Sequence, residues 1–258
     1  MRFSGKKIVI TGAAQGLGQV IATSYAREGA DIAILDRADA SETLQKIREV
    51  GRQAAMFQVD VRNAEAVKSA VTGAAEFLGG RIDVLVNNAG FNGYYNLIES
   101  MPLEQWRETL DINLSGVMLV TQAVIPVMRA GGGGSIGITA SNVARRGLPY
   151  RADYVCSKWA LLGLNQTLAL ELVKDNIRVN AICPGPVEGD RIEEVLARQA
   201  AAEGRNPGDM RKIWEKAAPM NRFVTAEEVT AAMMFLTSDD ASAMTGQALN
   251  VTGGFLMT

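Results

Sequence analysis

The sequence predicts a single α/β domain over residues 1–258, with a doubly wound parallel sheet of about seven strands and helices on both faces. Short apolar segments rich in β-branched residues alternate with helical patterns along the whole chain, which is the order expected when helices connect parallel strands. Connections are short and no linker interrupts them. Every polar motif falls where a strand ends or the next helix begins, the edge at which open α/β sheets bind ligands.

The composition excludes several functional classes. The chain has no histidine and only two cysteines, which excludes Ser/His and Cys/His catalysis and leaves no basis for a metal site. A net charge of -2 gives no reason to expect nucleic acid or a membrane surface as partner. Neither a secretion signal nor an apolar stretch long enough to span a membrane is evident. A soluble, cytoplasmic protein is therefore expected.

The first strand, at residues 7–11, leads through a glycine-rich turn into a helical pattern at residues 19–28. Glycines let the backbone approach a pyrophosphate, and the helix N-terminus offers N–H groups and a positive dipole end. The candidate cofactor residues here are Gly12, Gln15, Gly16, Leu17 and Gly18. Their spacing differs from the general G-x-G-x-x-G fingerprint, and a tight turn without a ligand is the alternative.

The second strand, at residues 31–35, ends at Asp36. An acid at this place can bond both ribose hydroxyls of the adenosine half of NAD, and it repels the 2′-phosphate of NADP. Gln15 brings no positive charge to offset that repulsion. Arg37 could offset it and is the argument for NADP, so NAD is favoured and NADP stays as the alternative.

The third strand is predicted to end at residues 59–61, after a helix at about residues 40–50. Asp60 and Val61 are therefore candidate contacts of the adenine ring. Asp60 could equally cap the helix that starts near Asn63.

The fourth strand, at residues 83–86, is followed by Asn88, Ala89 and Gly90. An amide and a glycine at the carboxyl end of a strand suit hydrogen bonding and close approach of a ligand. An ordinary Asx turn explains the same residues without a function.

A long helix at about residues 103–129 carries Asn113, a polar amide between apolar residues that needs a partner if buried. The fifth strand, at residues 135–139, then delivers Ser141 at its carboxyl end.

The next helix carries Tyr154 and Lys158, which lie on one helix face, one turn apart. A free phenol titrates near pKa ~10, so proton exchange near pH ~7 needs a shift of about 3 units, or ~4 kcal/mol. An ammonium about 4 Å away supplies roughly that much at an effective dielectric constant of ~20. Tyr154 is therefore a candidate general base for an alcohol or general acid for a carbonyl. Taken alone, the spacing also fits a solvated helix face.

The sixth strand, at residues 177–182, is followed by Pro184, Gly185 and Val187, which become candidate cofactor residues through the family resemblance given below. Residues 188–217 are more polar and only weakly helical. An insertion at the carboxyl end of a parallel strand is well placed to act as a lid over a ligand. A helix capped at Thr225 and a strand at residues 248–251 complete the pattern.

Together these motifs resemble the short-chain dehydrogenase/reductase family over essentially the full length. The matching motifs are Thr11-Gly12-x-x-x-Gly16-x-Gly18, Asp60, Asn87-Asn88-Ala89-Gly90, Asn113, Ser141, Tyr154-x-x-x-Lys158 and Pro184-Gly185. The resemblance implies a Rossmann-type fold and hydride transfer between a nicotinamide cofactor and an alcohol or carbonyl. It also implies a homo-oligomer, usually a tetramer, and the apolar residues Val155, Leu161, Leu162, Leu168 and Leu172 on the Tyr154 helix favour one.

The family's roles carry over residue by residue. Ser141 would hold the substrate oxygen, and Tyr154 would exchange its proton. Lys158 would lower the pKa of the tyrosine and bond the nicotinamide ribose, while Asn113 would hold a water that links Lys158 to solvent. One departure concerns the carboxamide, because Gly189 stands where the family usually has threonine. Another is Thr252 before the last glycine pair, where many members have aspartate; it is expected to affect packing only.

The candidate substrate residues are mostly polar: Asn92, Ser141, Asn142, Arg146, Tyr150, Tyr154 and Arg191. This set favours a sugar or polyol, and the arginines leave room for an anionic group. Alternatively, Arg145 and Arg146 are solvated or face another subunit. An NAD-linked dehydrogenase of a polar secondary alcohol is the favoured reading, and an NADPH-linked carbonyl reductase such as 3-oxoacyl-carrier-protein reductase is the second. A dinucleotide sensor without turnover is disfavoured, since the Ser, Tyr and Lys are all present.

Overall fold

Seven parallel strands form one sheet in the order β3-β2-β1-β4-β5-β6-β7. The computed structural model describes residues 1–257. The strands are β1 Lys7–Thr11, β2 Asp31–Asp36, β3 Ala54–Gln58, β4 Val84–Asn87, β5 Gly134–Thr139, β6 Ile177–Pro184 and β7 Ala248–Val251. The chain runs outward from β1 to β3 and then returns to β4 on the other side of β1. This reversal makes the carboxyl edge between β1 and β4 the expected ligand crevice, and the predicted fold class is confirmed.

Helices cover both faces of the sheet. They are α1 Gly16–Arg27, α2 Ser41–Glu49, α3 Ala64–Phe77, α4 Leu103–Leu110, α5 Gly116–Ala130, α6 Ala152–Leu172, α7 Asp190–Glu203, α8 Pro207–Ala217 and α9 Ala226–Thr237. The predicted long helix is continuous through α4 and α5, but a π-helical segment, Asp111–Ser115, joins the two.

Alternation of side chains along the strands divides the apolar interior into two cores. In β1, Val9 belongs to the core beneath α3, α5 and α6, whereas Ile8 and Ile10 belong to the core on the opposite face. All three are fully buried. Each such side chain contributes about 1.5–3 kcal/mol of transfer free energy, so both faces hold the strand in one register.

The segment at residues 188–217, called the lid below, is more regular than predicted. It forms two helices, α7 and α8, because apolar side chains recur on one face and meet in a separate small cluster. The cluster, called the lid cluster, contains Ile192, Val195, Leu196, Ala200, Met210 and Phe223. A β-bridge between Val187 and Val224 closes the base of this excursion.

The surface of α6 differs from the prediction. Leu161, Leu168 and Leu172 are buried in the domain's own core, so they provide no surface for another subunit. The exposed apolar side chains of this helix are instead Trp159 and Leu170, at 50% and 80% exposure. The tetramer stays a prediction.

The helix Leu103–Ala130 corrects the expectation that no stretch could span a membrane, since it is 28 residues long and an 18-residue window within it has a mean hydropathy of 1.5. The core helix of a soluble protein passes the same test. Val117, Val120 and Val124 of this helix are indeed part of the main core, which accounts for its apolar composition without a membrane.

Candidate active site

The glycine-rich turn between β1 and α1 is closely packed. A Cβ on Gly18 would lie 1.9 Å from the carbonyl oxygen of Gly12, and one on Gly12 would lie 2.6 Å from Cα of Ala89. Gly12 and Gly16 both have positive φ, 68° and 57°, which favours glycine. A Cβ on Gly16 would meet nothing within 4 Å, so this part of the turn faces open space.

The N-terminus of α1 lies beside that open space. Gln15, the residue before α1, makes no side-chain cap, so the first N–H groups of a 12-residue helix keep their capacity to bind an anion. Leu17 is half-buried and packs against the core on the α1 face. The turn therefore fits the pyrophosphate of a dinucleotide, as the sequence predicts.

Asp36 ends β2 and is tied to the glycine turn. Its carboxylate accepts hydrogen bonds from the N–H of Ala14 at 2.8 Å and from the N–H of Ala38 at 3.0 Å. The carboxylate is half-buried and reaches the same crevice as the turn. Arg37, the next residue, is exposed, and its charge acts on the carboxyl of Asp60.

Beyond the end of β3, the structure settles one alternative. The cap of α3 is Asn63, whose side chain accepts from the N–H of Ala66, so the N-cap reading of Asp60 is wrong. Asp60 instead pairs with Arg62 at 2.6 Å, which holds the pKa of its carboxyl below the usual range. Val61 is buried, and a Cβ on Gly116 would lie 2.7 Å from it. Strand β3 stops at Gln58, short of the predicted 59–61, and contact with adenine stays a prediction.

The residues after β4 cross over the glycine turn. Thr11 Oγ1 accepts from the N–H groups of Asn88 and Ala89, both at 3.0 Å. Asn88 Nδ2 donates to the Gly12 carbonyl at 2.8 Å. These bonds fix the carboxyl ends of β1 and β4 to each other. Gly90 follows at the floor of the crevice, where an added Cβ would lie 3.6 Å from Lys158 Nζ.

Tyr154 and Lys158 project from the first turns of α6 into this crevice. Lys158 is 4% exposed and donates from Nζ to the carbonyl of Thr139 at 2.9 Å. The Nζ lies 5.8 Å from the centroid of the Tyr154 ring. Since an ammonium has three donors, two remain for other partners in the crevice.

The electrostatic surroundings of Tyr154 favour its ionised form. Burial of the phenol opposes ionisation, yet the pKa lies below its ordinary value of 10.0 because nearby cations outweigh burial. In order of effect these cations are Lys158, Arg191 and Arg151. A hydrogen bond with Ser141 lowers the pKa further. Burial lowers the pKa of Lys158 as well, and the facing phenol opposes that shift.

Asn113 is fully buried in the π-helical segment. Its Oδ1 accepts from the N–H of Phe91 at 2.7 Å, and Nδ2 donates to the Phe91 carbonyl and to Ser157 Oγ. The side chain thus fastens the loop after β4 to α6. A water that links Lys158 to solvent stays a prediction. Both amide hydrogens of Asn113 have protein partners, so such a water could bond only to the second lone pair of the amide oxygen or to the backbone.

The end of β6 borders the crevice on the other side. Pro184 is buried, and the N–H of Gly185 donates to the Val251 carbonyl at 2.9 Å. Val187 is bridged to Val224 by the hydrogen bonds of its two chain neighbours: the Val224 N–H donates to the Pro186 carbonyl, and the Glu188 N–H donates to the Val224 carbonyl. In a parallel bridge, the central residue's own N–H and C=O point to the opposite side.

The predicted substrate residues fall into two groups. Arg191, on the first turn of α7, donates to Asn92 Oδ1 at 2.6 Å and to the Gly90 carbonyl at 3.3 Å. These bonds join the lid to the loop after β4, directly above the crevice. Asn142 is buried and its Oδ1 accepts from Ser141 Oγ at 3.2 Å.

The other group lies farther along the loop between β5 and α6. Arg146 stacks on Phe255, 4.8 Å from the ring centroid, and Tyr150 is half-buried with a positive φ of 64°. Arg145 donates to the Ala248 carbonyl at 2.7 Å, so it is held by β7. The alternative that Arg145 is simply solvated is wrong, and substrate contact by Arg146 and Tyr150 stays a prediction.

The sequence analysis missed Arg151, the residue that precedes α6. Its guanidinium lies 4.5 Å from the Tyr95 ring centroid and 4.7 Å from that of Tyr154. It is only 3% exposed. The one sequence signal was its place three residues before Tyr154, since its partners come from a loop more than 50 residues earlier. Within residues 1–257, no group of three or more acidic or cysteine side chains is placed to hold a metal ion.

Comparison with known proteins agrees with this geometry. Residues 12–256 match a family model described as enoyl-(acyl carrier protein) reductase. Galactitol 2-dehydrogenase of Agrobacterium fabrum is 37% identical over 260 residues, all of both chains. The 3-oxoacyl-[acyl-carrier-protein] reductase FabG of Thermotoga maritima is 34% identical over 259 residues, also all of both chains. The crystal structure of NAD+-bound xylitol dehydrogenase gives a TM-score of 0.94 at 34% identity and covers 98% of this chain and 100% of that one.

These matches define the protein as a nicotinamide-dependent oxidoreductase that acts on alcohol groups. More particularly, the chain belongs to the short-chain dehydrogenase/reductase family.

Proposed function

We propose that this protein is an NAD-dependent dehydrogenase of a polar secondary alcohol, such as a sugar, a polyol or an anionic derivative of one. The observation that carries the proposal is the convergence of Ser141, Tyr154 and Lys158 in a crevice whose other end is closed by Asp36. Ser141, Tyr154 and Lys158 supply acid/base chemistry. Asp36 supplies a preference for a ribose diol over a 2′-phosphate.

The cofactor would lie along the carboxyl edge of the sheet. The uncapped N-terminus of α1 and the glycine turn would hold the pyrophosphate, and Asp36 would accept hydrogen bonds from the adenosine ribose. The backbone of Val187, which points away from its β-bridge, would meet the carboxamide. When bound, the nicotinamide would supply the hydride acceptor for oxidation of the carbinol carbon, or the hydride donor for the reverse reaction.

The protein's own residues handle the proton. Tyr154 accepts the hydroxyl proton of the substrate as the carbon–oxygen bond gains double-bond character, acting as a general base. Ser141 donates a hydrogen bond to the substrate oxygen and stabilises the negative charge that develops there. Lys158, held by the Thr139 carbonyl, keeps a positive charge beside the phenol so that the proton can transfer near neutral pH.

A polar substrate suits the groups around this centre. Asn92, Asn142 and Arg191 present amide and guanidinium groups near Tyr154, and such groups bind hydroxyls or an anion. Galactitol 2-dehydrogenase, the relative described above, is named for a polyol. We further propose that the enzyme is soluble and cytoplasmic, with subunits assembled as a tetramer.

One observation favours a second candidate, an NADPH-dependent carbonyl reductase such as a 3-oxoacyl-carrier-protein reductase. Arg37 follows Asp36 directly, and its exposed guanidinium could turn to a 2′-phosphate. The reductase from Thermotoga maritima is nearly as similar in sequence as the polyol dehydrogenase.

A cofactor and substrate panel tests the proposal. Reduction of NAD and of NADP is followed by the absorbance of the reduced nicotinamide, against sugars, polyols and their acidic derivatives. Reduction of NAD by one polar class, absent in Tyr154→Phe, is the expected result. Oxidation of NADPH by acyl thioester ketones, with no reaction of polyols, would replace the proposal with the second candidate.

A further inference from the structure

Within residues 1–257, Arg151 is a buried cation without a carboxylate partner. It is 3% exposed, and the hydrogen bonds of its guanidinium go to the Tyr95 hydroxyl at 2.6 Å and to the Asn92 carbonyl. Its Nε has no hydrogen-bond partner. Burying a charge in this way is costly unless something compensates. The compensation here comes from the aromatic rings of Tyr95 and Tyr154, which lie within cation–π distance of the guanidinium.

Both hydrogen-bonding partners of Arg151 also hold the lid. The Tyr95 hydroxyl donates to the carbonyl of Val195 on α7 at 3.2 Å, and the Tyr95 ring packs against the lid cluster. The Asn92 side chain accepts from Arg191, also on α7, at 2.6 Å. Two separate routes from the lid therefore meet at one guanidinium, and that guanidinium lies against the phenol ring of Tyr154.

We propose that Arg151 is a positioning residue that couples the lid to Tyr154, holding its positive charge against the phenol ring when the lid is closed over the crevice. The inference rests on the proposed role of Tyr154 as acid/base catalyst. With the lid open, the contacts of α7 with Tyr95 and Asn92 are lost, and the two groups that orient the guanidinium are no longer fixed. The phenol of Tyr154 is then most readily ionised when substrate is enclosed, which limits wasteful proton exchange with water.

Several other charged or titratable groups face Tyr154, and the test has to separate them from Arg151. Lys158 lies on the same helix, and Arg191 approaches from α7. The Tyr95 hydroxyl faces the phenol from the loop after β4. Asp153 adjoins Tyr154 in α6, but it turns to Thr109 Oγ1 and the Tyr94 N–H. Cys183, on β6, acts on Lys158.

The direct readout is the ionisation of Tyr154 itself, measured without cofactor or substrate. Tyrosinate absorbance is followed during a pH titration, and the curve of the matching Tyr154→Phe protein is subtracted to remove the other four of the five tyrosines. Arg151→Met removes a positive charge near the phenol, so the midpoint should rise by about 1 pH unit. Arg151→Lys retains the charge, so its Tyr154 titration midpoint should rise by less than half as much as that of Arg151→Met. Arg129→Gln, which removes an exposed arginine paired with Asp175, is the matched control and should leave the midpoint unchanged.

Coupling to the lid is tested with Tyr95→Phe, which keeps the ring but removes both hydroxyl bonds. The midpoint of Tyr95→Phe should rise, as it does in Arg151→Lys. In the double variant Arg151→Lys/Tyr95→Phe, the midpoint should rise by less than the sum of the two single shifts, because the residues act through one contact. Additive shifts would overturn the coupling. If Arg151→Lys and Tyr95→Phe each lower the melting temperature but leave the Tyr154 titration midpoint unchanged, Arg151 has only a structural role and the proposal is overturned.

The two proposals fail separately. If no polar alcohol is oxidised but the Tyr154 midpoint responds to Arg151 and Tyr95 as described, the substrate class is wrong and the coupling stands. If Arg151→Met does not fold, the Arg151→Lys and Tyr95→Phe titrations and their double variant still decide the question.

Discussion

Replacing Asp36 by asparagine tests the cofactor preference at the residue on which it depends. Alanine would be a poor choice, because the carboxylate holds the N–H groups of Ala14 and Ala38 at 2.8 and 3.0 Å and both would lose their acceptor. Asparagine retains one oxygen for the Ala14 bond, which anchors the glycine turn, and removes the negative charge. The substitution therefore isolates electrostatics from loop structure.

The expected magnitude follows from Coulomb's law. A 2′-phosphate carries about −1.5 to −2 charges near neutral pH. At ~5 Å from a half-exposed carboxylate, with an effective dielectric constant of ~40, each unit of charge is repelled by about 1.7 kcal/mol. Salt and Arg37 reduce that figure, so a net gain for NADP of about 1.4 kcal/mol, or tenfold, is expected. NAD should lose roughly 1 kcal/mol as its ribose exchanges a charged acceptor for a neutral one.

The assay is the ratio of kcat/KM for NAD to that for NADP, supported by dissociation constants of both cofactors from calorimetry. In Asp36→Asn the ratio should fall by about 50-fold, because the gain for NADP and the loss for NAD add. Asp39→Asn is the matched control, because this exposed carboxylate bonds only to Ser41 and its loss should not alter the ratio. An unchanged ratio in Asp36→Asn would show that the carboxylate does not face the ribose. A collapse of NADP use in Arg37→Ala would assign the phosphate site to that arginine.

Three further outcomes are expected. Tyr154→Phe should lower kcat by about 10³-fold or more and leave the dissociation constant of NAD within about threefold, as measured by steady-state kinetics and calorimetry. Gly12→Ala should destabilise the fold by about 2 kcal/mol or more in urea unfolding, because the new Cβ meets backbone at 2.6 Å; Gly51→Ala, with a similar φ and open space around it, should cost only about 1 kcal/mol. The hydrogen bond from Arg222 lowers the pKa of Glu228 from 4.5 to about 2, so its contribution is complete above pH 4.5 and is lost as the pH falls toward 2. That contribution is at most about 1 kcal/mol for so exposed a pair, and urea unfolding at acid pH should show it absent in Glu228→Gln.

The central strands could be located well because each is a short, almost fully buried apolar run between turn signals. The edge strand β3 is only partly buried, and its predicted end at residues 59–61 lies beyond the observed Gln58. The π-helical segment Asp111–Ser115 could not be predicted, because its apolar spacing also fits a regular helix. What distinguishes it is tertiary: Asn113 reaches the backbone of Phe91 on a loop 22 residues earlier. Local sequence carries no record of such a partner.

Within the site, too, features set by local sequence could be predicted, and features set by tertiary contacts could not. Residues whose chemistry is local, such as the Tyr154 and Lys158 pair or the acid at the end of β2, could be proposed from their spacing, although for the pair a solvated helix face remained the alternative. The carbonyl of Thr139, which holds Lys158, is backbone and has no residue-type signature. Arg151 was not predicted because its hydrogen-bonding partners, Tyr95 and Asn92, lie more than 50 residues earlier in the chain, and a sequence alone does not distinguish a buried arginine from an exposed one.

Gly189, which stands where the family usually has threonine, need not weaken the binding of the cofactor. Its φ is 132°, a conformation that a threonine would adopt only with strain, and it begins α7 as the residue before the first turn. The turn into the lid thus requires glycine in this chain, and a threonine hydroxyl could not be restored there without moving the helix that carries Arg191. The N–H and C=O of Val187, which point away from the bridge to Val224, are the groups that we propose hold the carboxamide. A Gly189→Thr variant should therefore bind NAD more weakly than the parent, and tighter binding would show that the conformation at this position adapts to the side chain.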